Sequence, residues 1–115
     1  MGIIENGTMQ ELWGEIEEKL KANSQPYAEM RGLYEIQIID EELTYQLAFK
    51  DGGLSITNQS NQQADCILKM KSATFRKFLS GNLNSMSAFM TGKLKVDGNI
   101  GLALKLESVL KKYQF

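Results

Sequence analysis

Two hydrophobic rhythms divide the chain. In the first, Met9, Leu12, Trp13, Ile16 and Leu20 recur three and four residues apart, with Glu15, Glu17, Glu18, Lys19 and Lys21 between them. One apolar stripe with a charged remainder predicts an amphipathic helix. Thr8 and Glu11 stand at capping-box spacing and mark its start. Asn23, Ser24 and Pro26 mark its end, because proline cannot continue a helix. Residues 27–30 predict one more short turn before Gly32.

The rhythm then changes to two. Tyr34, Ile36 and Ile38 alternate with Glu35 and Gln37; Leu43, Tyr45, Leu47 and Phe49 alternate with Thr44, Gln46 and Ala48; Leu54 and Ile56 alternate with Ser55 and Thr57. Alternation of this kind predicts strands with one wet and one dry face. The turn signals Asp40-Glu41-Glu42 and Asp51-Gly52-Gly53 join the three strands into an antiparallel meander. Residues 58–63 form a polar connection with no apolar side chain. A fourth strand turns Cys66, Leu68 and Met70 inward and Lys69 and Lys71 outward, with Ile67 breaking the pattern on the wet side.

Helical signals return in two pieces. Ser72 caps a helix carrying Phe75, Phe78 and Leu79 and closed by Gly81; Asn84 or Ser85 caps a shorter one carrying Met86, Phe89 and Met90 and closed by Gly92. Residues 93–97 predict a last strand with Leu94 and Val96 inward. Gly98 turns the chain, and Asn99 caps a final helix with Leu102, Leu106, Val109, Leu110 and Tyr113 on one face. The expected fold is α+β: a five-stranded, mostly antiparallel sheet with every helix on its dry face, in the order α-βββ-β-αα-β-α. A single domain over residues 1–115 fits the length.

Composition narrows the chemistry. There are 13 basic and 14 acidic side chains, a net charge of −1, which argues against nucleic acid as a partner. No histidine is present, so triads and histidine-held metals are excluded. The single cysteine, Cys66, forms no intrachain disulfide, and its inward strand position reads as a buried, inert thiol. Asp65 beside it reads as a strand-start or loop-bonding carboxylate. Carboxylate pairs such as Glu17/Glu18 and Glu41/Glu42 lie in charged, solvated segments, so the expectation is no enzyme, no cofactor and no metal. Gly98-Asn99-Ile100-Gly101 matches no phosphate-binding fingerprint and reads as turn and cap. No apolar run reaches membrane-spanning length, the first residues show no basic region followed by an apolar stretch, and the last do not read Ser-Lys-Leu. The expected location is therefore cytoplasmic.

The dry side is rich in soft, adaptable side chains: Met70, Phe75, Phe78, Met86, Phe89 and Met90. On residue type alone, plain core is the simpler reading. The basic series Lys93, Lys95, Lys105, Lys111 and Lys112 is ordinarily a solvated face; contact with anionic lipid head groups is the functional alternative.

One segment carries a more specific signal. It holds Ser87-Ala88-Phe89, Gly92-Lys93-Leu94-Lys95, Gly98, and a helix beginning Gly101-Leu102-Ala103-Leu104-Lys105-Leu106. This combination resembles the sterol carrier protein type two family, as do Ala64-Asp65-Cys66 before a strand and the helix from Phe75 to Leu79. The resemblance implies a stand-alone lipid-binding domain of bacterial type. It also implies an apolar tunnel between sheet and helices that takes a fatty acid, acyl-CoA, sterol or phospholipid and exchanges it with membranes. Carried over by position, the tunnel would be lined by Phe75, Phe78, Leu79, Phe89, Leu94, Leu102 and Leu106, with Met90 where the family often has an aromatic; Met86 joins them by spacing. Two departures stand out. Asn84-Ser85-Met86 replaces the family's Asn-Pro-Gln, and Thr91 replaces a glutamine that would meet a ligand head group, leaving Thr91 as a weaker polar contact. The resemblance thus implies non-catalytic lipid transfer by a monomer, with transient membrane-surface contact. The alternative is an accessory module whose apolar groove holds a partner protein or a second copy.

Overall fold

The computed structural model describes residues 7–59, 62–113 and 115. The N-terminal stretch read above for a leader falls on residues 1–6, outside the described residues, as do residues 60 and 61 of the polar connection and residue 114.

Helix α1 (Met9–Ala22) begins at the capping box that the spacing predicts. Glu11 N donates to Thr8 Oγ1 at 3.1 Å, and Thr8 N donates to Glu11 Oε1 at 2.8 Å. Two of the four orphan N–H groups of the first turn are satisfied in this way. The helix buries Met9, Leu12, Trp13, Ile16 and Leu20, the stripe legible in the sequence. A single 3-10 turn (Gln25–Tyr27) follows, fixed by the Tyr27 hydroxyl donating to Leu20 O at 3.0 Å.

Five strands form one sheet: β1 (Gly32–Ile38), β2 (Leu43–Lys50), β3 (Gly53–Thr57), β4 (Cys66–Met70) and β5 (Leu94–Gly98), ordered β3-β2-β1-β4-β5. All neighbours are antiparallel except β1 and β4. The β2–β3 turn is the two-residue Asp51-Gly52, both at positive φ (52° and 78°), the backbone of a hairpin turn matched to strand twist. The register aligns Tyr45, Ile36, Leu68 and Val96 in one row across the sheet, and Ile38, Met70 and Leu94 in another. These rows form the floor on which every helix packs.

Three more helices complete the roof: α2 (Ser72–Ser80), α3 (Ser85–Met90) and α4 (Ile100–Leu110). Trp13 joins α1 to the rest, stacked between Tyr45 of β2 at 4.2 Å and Phe75 of α2 at 5.3 Å. Stacked rings of this kind add about 1 kcal/mol beyond area burial.

Two expectations need correction. The outer face is not uniformly wet: Glu35 and Gln46 are buried at 4% and 3% exposure. To reach β4, the chain leaving β3 must pass both β2 and β1, and Gln62 on this path meets Gln46. Gln46 Nε2 donates to Glu35 Oε1 at 2.9 Å and to Gln62 O at 2.8 Å, while Gln37 Nε2 donates to Glu35 Oε2 at 2.6 Å. The buried polar groups thereby satisfy one another. Nor does Ser72 cap α2; it is the first helical residue, and Lys71 at the cap position makes no side-chain bond. Asp40 supplies the cap from the β1–β2 turn.

The small glycine strand-end keeps its expected turn duty. Gly98 sits at φ 92°, and a Cβ there would lie 2.5 Å from Asp65 O. Asp65, just before β4, bonds the start of β1, its Oδ2 accepting from Leu33 N at 2.8 Å. Asn99 caps α4 by accepting from Gly101 N at 2.8 Å.

Candidate functional site

Helix α3 is six residues long and lies between two glycines in the left-handed region, Gly81 (φ 79°) and Gly92 (φ 80°). Asn84 caps it by accepting from Ser87 N at 3.0 Å, and Lys93 N donates to Ala88 O at 2.8 Å where it meets β5. The Ser85 hydroxyl donates to the Glu107 carboxylate, tying the start of α3 to α4. A helix this short is not stable by itself and depends on these tertiary ties.

Beneath α3 lies an apolar cleft. Its floor is Leu68, Leu94 and Val96 of the sheet; Phe78 of α2 and Ile100, Ala103 and Leu104 of α4 form its sides; Ser85, Met86 and Phe89 close it from above. Ser85 is the one polar residue among them, and its hydroxyl is engaged by Glu107. The unfilled volume is about 10 Å³, room for one water at most. Small-molecule pockets run to roughly 300 Å³ and above, so the cleft is closed. Its mouth is marked by exposed apolar side chains: Met86 (52%), Phe89 (39%), Ile100 (38%) and Leu104 (41%), with Met90 at 81% on the outer side of α3.

The structure gathers part of the set named from sequence. Phe78, Met86, Phe89 and Leu94 line the cleft. Phe75 does not; it is fully buried against Trp13. Leu79 and Leu106 are packed core, and Leu102 is half-buried against it. Met90 projects to solvent because α3 turns it away from the sheet. The Thr91 hydroxyl donates to Ser87 O at 2.9 Å and Ala88 O at 3.3 Å, so it serves the end of α3. Sequence reading missed Leu68, Val96, Ile100, Ala103 and Leu104 as wall residues. The signal for the α4 members was there: Ile100, Ala103 and Leu104 recur at helical spacing on a stripe beside the core stripe.

The residues lining the cleft include no ionisable side chain, and two buried titratable groups lie elsewhere on the sheet. Burial, aided by nearby Asp65, pushes the Cys66 thiol up to about 11. Burial also pushes the Tyr34 hydroxyl up to about 12, with Cys66 and Asp65 adding to the effect. Among the described residues, no three metal-ligating side chains gather, and the Trp13 indole N–H and Tyr34 hydroxyl are buried without a hydrogen-bond partner. No helix among them is long and apolar enough to cross a membrane.

Comparison with known proteins adds an independent line. The model of the SCP-2 sterol transfer family matches residues 14–111. Sterol carrier protein 2 of Homo sapiens is 34% identical over 100 residues, covering 83% of this chain and 18% of the relative. The chain thus spans about a fifth of the length of the curated relatives it matches. Among solved structures, a UbiJ-SCP2 ubiquinone synthesis protein superposes with a TM-score of 0.73 at 15% identity, over 91% of this chain and 98% of the other. The sterol carrier protein-2 of Aedes aegypti, solved with palmitate, gives 0.70 at 19% identity, over 99% and 100%. At those identities the likeness is one of fold: the five-stranded sheet roofed by helices.

Proposed function

The chain belongs to the SCP-2 sterol transfer family, and from that premise we propose that it is a non-catalytic carrier, a single domain that binds one apolar lipid chain between α3 and the sheet. The observation that carries this reading is the apolar cleft roofed by a short helix between two glycines, with Met86, Phe89, Ile100 and Leu104 exposed at its mouth. Exposed apolar side chains clustered around a closed cleft are poorly explained by stability and well explained by a ligand that enters there. Opening consists of α3 swinging outward about Gly81 and Gly92, which releases Ser85 from Glu107 and lifts Met86 and Phe89.

A ligand of the palmitate class would be admitted only once α3 has swung outward, since the closed cleft has about 10 Å³ of free volume. Burying roughly 350 Å² of apolar ligand surface at about 25 cal/mol/Å² gives a gross gain near 9 kcal/mol. Lost translational and rotational freedom takes several kcal/mol of it back. Micromolar affinity with loose selectivity is the expected result, and Met86 adapts the wall to different chains. Fatty acids, acyl-CoAs, sterols and phospholipids are the ligand classes to screen.

The test is thermal unfolding with each class at saturating concentration. A lipid that fills the cleft raises Tm by mass action. No shift with any class excludes a lipid-binding cleft.

The same exposed side chains favour one second reading, a module that docks a partner's apolar segment or a second copy of this chain at the α3–α4 mouth. Native mass spectrometry separates the two. A monomer with co-purified lipid supports the carrier; a lipid-free dimer supports the module.

A further inference from the structure

The carrier reading leaves the polar end of the ligand without a partner, since Thr91 is committed to the end of α3. A second, open groove of about 400 Å³ lies beside the cleft. Its floor is apolar, with Ile39 exposed at 49% and Leu83 packed on the core, and Lys71, Lys77 and Lys93 stand on its rim. We propose that this groove seats the anionic group, carboxylate or phosphate, of the lipid whose chain occupies the cleft.

Three observations converge on this assignment. The first is continuity. Lys77 of the groove precedes Phe78 of the cleft, and Lys93 of the groove precedes Leu94 of the cleft. The same two stretches of chain, the later part of α2 and the start of β5, therefore border both sites. The second is charge. Three cations face one groove in a chain whose net charge is −1. Among the described residues none of the three is in an ion pair, whereas Lys21, Lys69 and Lys111 all are. The nearby carboxylate, Asp40, has both oxygens engaged by Ser72, and the charge of Lys71 acts on it only as a smaller influence. The third is composition. A floor of Ile39, Leu83 and Ala73 under a cationic rim fits an amphiphile, in which an apolar stem leads up to a charged head.

The assignment rests on the carrier reading, so the experiment separates the two. Binding of palmitate and of hexadecanol, equal in chain length and differing in charge, is measured at neutral pH and low salt. The comparison is made for the natural chain and for the K71Q/K77Q/K93Q and K71R/K77R/K93R variants. The natural chain and the arginine variant should prefer palmitate by about tenfold, and the glutamine variant should bring that ratio near one. The preference should shrink as salt screens the charges. A ratio near one in the natural chain, or a preference that survives in the glutamine variant, overturns the head-group assignment while the carrier reading stands. Failure of both lipids to bind overturns the carrier reading and this assignment with it. Inorganic phosphate is the arm for a free anion. Phosphate that binds the groove, with palmitate preference unaffected by the glutamine substitutions, overturns the lipid assignment in favour of a free anion.

Discussion

Asp40, in the turn after β1, holds the N-terminus of α2 from 32 residues away. Its Oδ1 accepts from Ser72 N at 2.8 Å and its Oδ2 from Ser72 Oγ at 2.9 Å. Burial acts to raise this carboxyl, but the Ser72 hydrogen bonds and the charge of Lys71 outweigh it and hold the group below its ordinary 3.8. A folded-state value below the unfolded one means the cap contributes fully above about pH 4 and is lost as pH falls through the lower value. Asp40→Ala should cost about 1 kcal/mol near neutrality, a typical capping loss. The difference from the natural chain should shrink as pH falls below about 4, as read from urea unfolding across the acid limb.

The glycines separate turn geometry from crowding. At Gly98 a Cβ would lie 2.5 Å from a backbone oxygen and φ is 92°; at Gly92 φ is 80° with open space around it. Gly98→Ala should cost about 3 kcal/mol, from clash and strain together. Gly92→Ala should cost about 1 kcal/mol, from the left-handed backbone alone. Equal midpoints in denaturant for the two variants would contradict the close approach of β5 to Asp65.

Cys66 is fully buried on β4, and burial first, then Asp65, raises its thiol to about 11. A thiol reagent at pH 8 should label it only as fast as the chain unfolds. Because its folded value lies above the ordinary 9.0, stability present below pH 9 should drain away as pH rises toward 11. Cys66→Ala should flatten that alkaline limb.

The Ser85–Glu107 bond is the latch on α3. Ser85→Ala removes a hydrogen bond to a carboxylate, a loss of about 1 kcal/mol, which speeds lipid dissociation roughly fivefold if opening limits release. Stopped-flow transfer of a fluorescent fatty acid to vesicles measures it. An unchanged rate would place the exit elsewhere.

Local signals made most of the fold legible. Thr8 and Glu11 announced α1 because a capping box is closed within four residues, and period two announced the strands because each dry face packs on one core. Relationships over long separations were not legible. Nothing near Ser72 says that Asp40 caps it, and nothing near Gln46 says that it bonds both Glu35 and Gln62. The site was read in part for the same reason. Phe78 and Leu94 follow from their elements' inward phase, whereas Phe75 was claimed by Trp13 across the roof. Of the basic series singled out in the sequence only Lys93 borders the groove; Lys71 and Lys77 join it through the packing of α2 beside β5, while Lys111 pairs with Glu107 at 3.9 Å.

The methionines offer the most direct test of the central claim, that an apolar chain binds under α3. Met86 lines the cleft, Met70 lies on its sheet side paired with Leu94, and Met9 and Met30 are buried elsewhere in the core. Methyl-labelled methionine spectra followed through a palmitate titration should show a saturable shift at Met86, with ligand contacts to its methyl group, and little change at Met9 and Met30. No saturable shift at Met86, or a response centred on Met9 and Met30, would contradict the account.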